Sequence, residues 1–157
     1  MPTVNQIRDV ILFAGLDDGE LATVAGLLQE EKFSKDQEIF HEGDPGDKFY
    51  IVSEGMVSIA LNIDGVGSEE LLYLEPPAFF GEMALIDAEP RSASAICRRP
   101  TVLLSLDKEA FEHLIDEDIE LGNKLMIGLI RTFCSRIRKS NEKLRNYFMI
   151  NRAFLDS

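Results

Sequence analysis

The chain has 157 residues, 45% of them hydrophobic and 28% charged, a size and composition that suit one folded domain with its own core and exclude a disordered segment. Two cysteines and two histidines without metal-ligand spacing exclude a thiolate cluster or a zinc site and suit a reducing cytoplasm. The formal net charge of −12 is divided: residues 1–120 hold 8 basic against 26 acidic side chains, which argues against nonspecific nucleic-acid binding by that part, and residues 121–157 hold 8 against 2.

The N-terminal stretches "VNQIRDVILFAGL" and "DDGELATVAGLL" repeat apolar residues at three-four spacing, which predicts two short helices, with Asp17 or Asp18 capping the second. The apolar run after Arg8 is too short for a secretory signal, and "LMIGLI" at residues 125–130 is far below a membrane span. From Glu30 onward, β-branched and aromatic residues alternate with polar ones, punctuated by "EGDPGD", "SEGM" and "DGVG". "SASAICR" and "TVLLSL" add two strands on either side of a turn at Arg99-Pro100. The expected fold is mainly β with flanking helices (α+β): an antiparallel β-roll or jelly roll between N-terminal helices and a long C-terminal helix.

After Asp107 the period returns to 3.6. "KEAFEHLI" predicts one helix, and a much longer one runs from residue 118 toward residue 151. Met126, Ile130, Phe133, Ile137, Ser140, Leu144 and Tyr147 recur at steps of four and three, the pattern of a coiled-coil seam. This stripe either joins two copies in a homodimer or packs back on the chain's own roll; the projecting length favours the homodimer. The basic residues then fall on the helix's solvated faces, where no positive patch is required.

"FFGEMALIDAEPRSASA", residues 79–95, ends a 42-residue span (49–90) without Lys, Arg or His. A glycine before about one helical turn lets backbone approach an anion, and Arg91 at the start of the next strand offers a guanidinium fork that grips two phosphate oxygens. Glu82, an acceptor only, suits a hydroxyl donor such as a ribose 2′-OH. Together these describe a sugar-phosphate pocket. The alternative is a surface pair of Arg91 with Glu82 or Glu89 beside an ordinary turn.

"FGEMALIDAEPRSASA" resembles the phosphate-binding cassette of the cyclic nucleotide-binding domain family, and the likeness continues through "LFAGLDDGEL", "EIFHEGDPGDKFYIVSEGMVSI" and "LLSLDKEAFEHLI". The resemblance implies a cup-shaped β-roll. It implies that Arg91 holds the cyclic phosphate, that Glu82 and the Gly81 backbone take the ribose hydroxyl, and that Ala84 and Ser92 add phosphate contacts. Phe80, Met83 and Ala93 complete the cassette's ligand-binding set. Pro77 and Ala78 depart from the family's usual Gly-Asp before Phe-Gly-Glu, which puts the geometry of that loop in question. "SRIRKSNEKLRNYF" is similar to the dimerisation helix of the catabolite activator type, which implies that Ser140 and Asn141 reach the base; a register-setting polar pair in the seam is the alternative. The helix-turn-helix domain that follows in that type is not expected here.

The division expected is a nucleotide-binding roll with its N-terminal helices at residues 1–117 and a dimerisation and lid helix at residues 118–157. The function implied is a cytoplasmic, non-catalytic sensor. Its effector is cyclic AMP or cyclic GMP, with cyclic AMP favoured, and no metal is needed. It relays binding through the helix to a protein partner, without DNA or membrane binding. The alternative is a scaffold of the same fold that is ligand-free or binds another anion. His41 and His113 lack the partners that catalysis needs.

Overall fold

The computed structural model describes residues 1–156. A short helix α1 (Val4–Ile7), a 3-10 turn (Ile11–Phe13) and α2 (Asp18–Leu27) open the chain. Eight strands follow: β1 (Gln29–Phe33), β2 (Glu38–Phe40), β3 (Lys48–Glu54), β4 (Val57–Ile63), β5 (Gly67–Leu74), β6 (Phe79–Phe80), β7 (Ser94–Cys97) and β8 (Thr101–Asp107). A second 3-10 turn (Glu82–Leu85) lies between β6 and β7, and α3 (Lys108–Glu117) and α4 (Ile119–Leu155) end the chain. The strands form two four-stranded antiparallel sheets, ordered β1-β8-β3-β6 and β2-β7-β4-β5. This is the expected roll with helices at both ends.

The apolar run "FYIV" in β3 is buried on both faces of its sheet. Phe49 and Ile51 join Leu104 and Leu106 of β8 in the core beneath the helices, while Tyr50 and Val52 join Leu103 and Cys97 inside the roll. A strand whose alternate side chains enter two cores carries no polar face. The two cores therefore share β3 and β8 as their common wall.

The opening segment differs from expectation. Residues 4–13 form a short helix and a separate 3-10 turn, with Val10 extended between them. Ile7, Val10, Leu12 and Phe13 are all buried, yet on an unbroken helix Leu12 would point about 140° away from Ile7. The break brings all four to one core. The second helix keeps its expected cap: the Asp17 carboxylate accepts from Glu20 N, and Glu20 Oε2 accepts from Asp17 N.

Helix α4 begins on an Asp118 cap, with the carboxylate accepting from Leu121 N at 3.0 Å. Its 37 residues reach about 55 Å. Leu121, Leu125 and Leu129 dock into the core beside Ile7, Leu12 and Phe111. Met126 and Phe133 pack partly against that core, whereas Ile130, Ile137, Leu144 and Tyr147 are exposed. The helix thus packs back through a face next to the expected seam, and most of the seam stays uncovered.

Candidate functional site

Strand β6 pairs with β3 in the register Tyr50↔Phe80 and Ile51↔Phe79. Just before it, Ala78 N donates to Glu75 O at 2.9 Å, closing a turn at the residues Pro77 and Ala78 that depart from the family pattern. Gly81 then takes a left-handed conformation, φ 76°, and a Cβ there would lie 2.8 Å from Arg91 Nη1. Only glycine combines that φ with so close an approach. The turn Glu82–Leu85 follows, with Ala84 N donating to Gly81 O at 3.2 Å.

Arg91 is anchored at its backbone: its N–H donates to Asp44 O and its carbonyl accepts from Gly43 N, both at 2.8 Å. The side chain is buried. Nη2 donates to Lys48 O at 2.8 Å and Nη1 to Gly81 O at 3.3 Å, and the guanidinium carbon lies 4.1 Å from the centroid of the Phe40 ring. Nε is buried without a partner. Among the described residues Arg91 forms no ion pair with any carboxylate, so the surface pair with Glu82 or Glu89 is not formed. Burial pushes the guanidinium's pKa down, opposed by Tyr50, Asp47 and Asp44, and an arginine stays charged through such a shift. A buried cation that holds only carbonyl oxygens, with N–H groups to spare, has the donors that an anion would need.

Glu82 is only 2% exposed, and its charge is met by a residue that lay outside the expected set. Arg136 of α4 pairs through Nη1 with Glu82 Oε1, donates through Nη2 to Phe79 O at 3.0 Å, and places its guanidinium over the Phe79 ring. Glu82 Oε2 has no protein partner among the described residues. The expectation that the helix's basic residues are solvated holds for Arg131, Arg138, Arg145 and Arg152, which are exposed, whereas Arg136, its side chain 45% exposed, reaches inward to Glu82 and Lys124 holds Glu20.

These groups face one cavity of about 710 Å³. Phe80, Gly81, Glu82, Met83, Ala84, Arg91, Ser92, Ala93 and Ser140 all line it. Asn141 lies on α4 outside the lining and is exposed. The helix adds Arg136, Lys139 and Lys143 to the wall, and Ile59, Leu72 and Leu74 supply an apolar side. One signal pointed to Arg136: it stands one helical turn before Ser140, on the same face. Among the described residues no group of three or more His, Cys, Asp or Glu could hold a metal ion, and no helix is long and apolar enough to cross a membrane.

The sequence model of the cyclic nucleotide-binding domain matches residues 30–118. The chain is 31% identical over 134 residues to a CRP-like cAMP-activated global transcriptional regulator of Mycobacterium tuberculosis, covering 85% of this chain and 58% of the regulator. It is 34% identical over 125 residues to isozyme 1 of the cGMP-dependent protein kinase of Drosophila melanogaster, covering 78% of this chain and 16% of the kinase. The chain thus spans little more than half of one relative and a small part of the other. Among solved structures, a cyclic nucleotide-binding domain from Methylobacillus flagellatus superposes with a TM-score of 0.83 at 28% identity, covering 89% of this chain and 81% of that one. The catabolite activator protein of Thermus thermophilus superposes with a TM-score of 0.77 at 31% identity, covering 85% and 61%. With a cassette that buries Arg91 beside Gly81 and Glu82, and with a domain match across more than half its length, this chain belongs to the cyclic nucleotide-binding domain family.

Proposed function

We propose that the chain is a non-catalytic cytoplasmic receptor for a cyclic nucleotide monophosphate. Arg91 neutralises the phosphodiester with Ser92 beside it, Glu82 and the Gly81 backbone take the ribose 2′-hydroxyl, and α4 closes the base side. The observation that carries this reading is the buried Arg91 guanidinium, which forms no ion pair among the described residues and leaves Nε without a partner. Glu82 Oε2, left open by Arg136, supports the ribose contact. Cyclic AMP is favoured over cyclic GMP by the likeness of α4 to the dimerisation helix of the catabolite activator type; the Ser140 hydroxyl lines the wall and, able both to donate and to accept, can meet the base edge. Asn141 contributes to that choice only once α4 turns it toward the cavity.

The relay to a protein partner runs through Glu82, where ligand and helix meet. A hydroxyl that shares this carboxylate with Arg136 changes how firmly α4 is held, and a homodimer formed along Ile130, Ile137 and Leu144 carries that change to a second copy. Calorimetric titration with cyclic AMP, cyclic GMP and 5′-AMP tests the reading. The unmodified chain should bind the cyclic nucleotides and discriminate against 5′-AMP. Arg91→Ala should cost about 3–5 kcal/mol, roughly a hundredfold to several thousandfold in affinity. Near-unchanged affinity in that variant, with native circular dichroism, would refute the assignment of Arg91.

A further inference from the structure

Arg131, Arg138, Arg145 and Arg152 stand seven residues apart along α4, and all four are exposed. Their side chains make no ion pair or hydrogen bond among the described residues. The contrast with the body is sharp: Arg8 holds Asp18, Arg98 holds Asp36 and Glu70, and Arg99 holds Glu75. Glu142, the one acid in residues 121–155, sits within helical reach of Arg138 and Arg145 and pairs with neither.

Beside this column, three residues on from each of the last two arginines, lie Phe148 and Leu155, 66% and 87% exposed. Met149, also exposed, lies four residues on from Arg145. A second copy seated along Ile130, Ile137 and Leu144 covers only that narrow seam, and the arginine column stands about 100° around the helix from it. A two-stranded pairing therefore leaves the arginines and Met149 open. The column repeats every 10 Å or so along the axis and drifts about 20° per heptad. Its match is an element with the same repeat and a left-handed wrap, which is another helix; the charge of a bilayer has no such register.

We propose that this flank of α4 is a docking surface for a partner protein's acidic amphipathic helix, whose carboxylates recur at heptad spacing beside an apolar column. The partner's acids pair with Arg131, Arg138, Arg145 and Arg152, and its apolar residues cover Phe148, Met149 and Leu155. The surface lies away from the nucleotide cavity, so it stands or falls separately from the receptor reading.

The probe is a labelled synthetic peptide of four heptads, with leucine at two heptad positions and glutamate at a third, followed by fluorescence anisotropy. Its control has the same composition with the glutamates scattered out of column. The columned peptide should bind about tenfold more tightly than the scattered one, and R138E/R145E should lose about that factor. A peptide with arginine in place of the columned glutamates should regain binding to R138E/R145E. Circular dichroism and nucleotide titration of R138E/R145E should be unchanged, because both positions are exposed and outside the cavity. Equal binding of the two glutamate peptides, or an undiminished signal with R138E/R145E, would overturn the proposal. So would binding to phosphatidylglycerol vesicles without binding to the peptide, which would make the surface a lipid site. A tetramer of the protein alone that R138E/R145E dissolves would assign the surface to further copies of this chain.

Discussion

The two halves of α4 have one helical geometry and opposite fates. Up to Thr132 the helix is clamped: Leu121, Leu125, Leu129 and Thr132 are buried, and Gly128 lies so close to the 3-10 turn that a Cβ would overlap the Leu12 carbonyl oxygen. Arg136 makes the last firm contact with the body through Glu82 and Phe79. Beyond it Ile137, Leu144 and Tyr147 are each more than half exposed. Periodicity makes a helix amphipathic along its whole length, but the surface opposite decides where the apolar face is used. The body ends before the helix does, and the cavity wall sits at the boundary.

The largest effects test this division. Leu125→Ala, on the clamped half, should destabilise the fold by about 2–5 kcal/mol, because Leu125 is 2% exposed and meets the helical core. Leu144→Ala, 52% exposed, should move monomer stability by no more than about 0.5 kcal/mol. Denaturant unfolding at low protein concentration checks both, and similar losses would break the comparison. Gly128→Ala sharpens it, since its clash is with backbone that must shift, which costs about 1–3 kcal/mol despite the better helix propensity of alanine. Gly26→Ala has nothing within 4 Å of its new methyl and should stabilise by about 0.5–1 kcal/mol.

Next in size is the effect on association. Ile137→Glu places a charge on the uncovered half of the stripe, where it costs the monomer nothing in packing. If two copies meet there, the variant should be monomeric by light scattering at tens of micromolar while the unmodified chain is dimeric, an order-of-magnitude range for such contacts. Nucleotide affinity should change only by the coupling energy between dimer and ligand, about 1–3 kcal/mol. An unmodified chain that remains monomeric would remove the homodimer from the proposed function.

The same boundary separates what the sequence made legible from what it hid. The cassette could be read because its parts are local: Gly81, Glu82 and Arg91 lie within a dozen residues, and the absence of any other base across residues 49–90 isolates Arg91. The strands of the roll were legible from alternation and glycine turns. Arg136 was hidden because its partner Glu82 is 54 residues away, and its place one turn before Ser140 does not by itself name a carboxylate for it to hold. The docking face of α4 was hidden for a related reason. Leu121, Leu125 and Leu129 and the stripe from Met126 to Tyr147 are neighbouring apolar faces of one helix, and only the shape of the body selects between them.

The smallest predicted effect is chemical. Cys97 is fully buried inside the roll and Cys134 is exposed on α4, just past the clamped half. Burial raises the Cys97 thiol above its ordinary value of 9.0, with a hydrogen bond from Thr101 pulling the other way. The thiolate is the reactive form, so Cys97 is both inaccessible and protonated at neutral pH. One thiol per chain should therefore react quickly with a maleimide in the native state, and the second only on unfolding. A raised thiol pKa also holds its proton longer in the folded state, so its contribution to stability is complete below pH 9 and is lost as pH climbs through the folded value. Cys134 neighbours Phe133 and Ile137, so pairing of two copies along that stripe should slow its alkylation as protein concentration rises, and Ile137→Glu should abolish the slowing. A Cys134 rate independent of concentration would place the second copy elsewhere, and two fast thiols would contradict the buried position of Cys97.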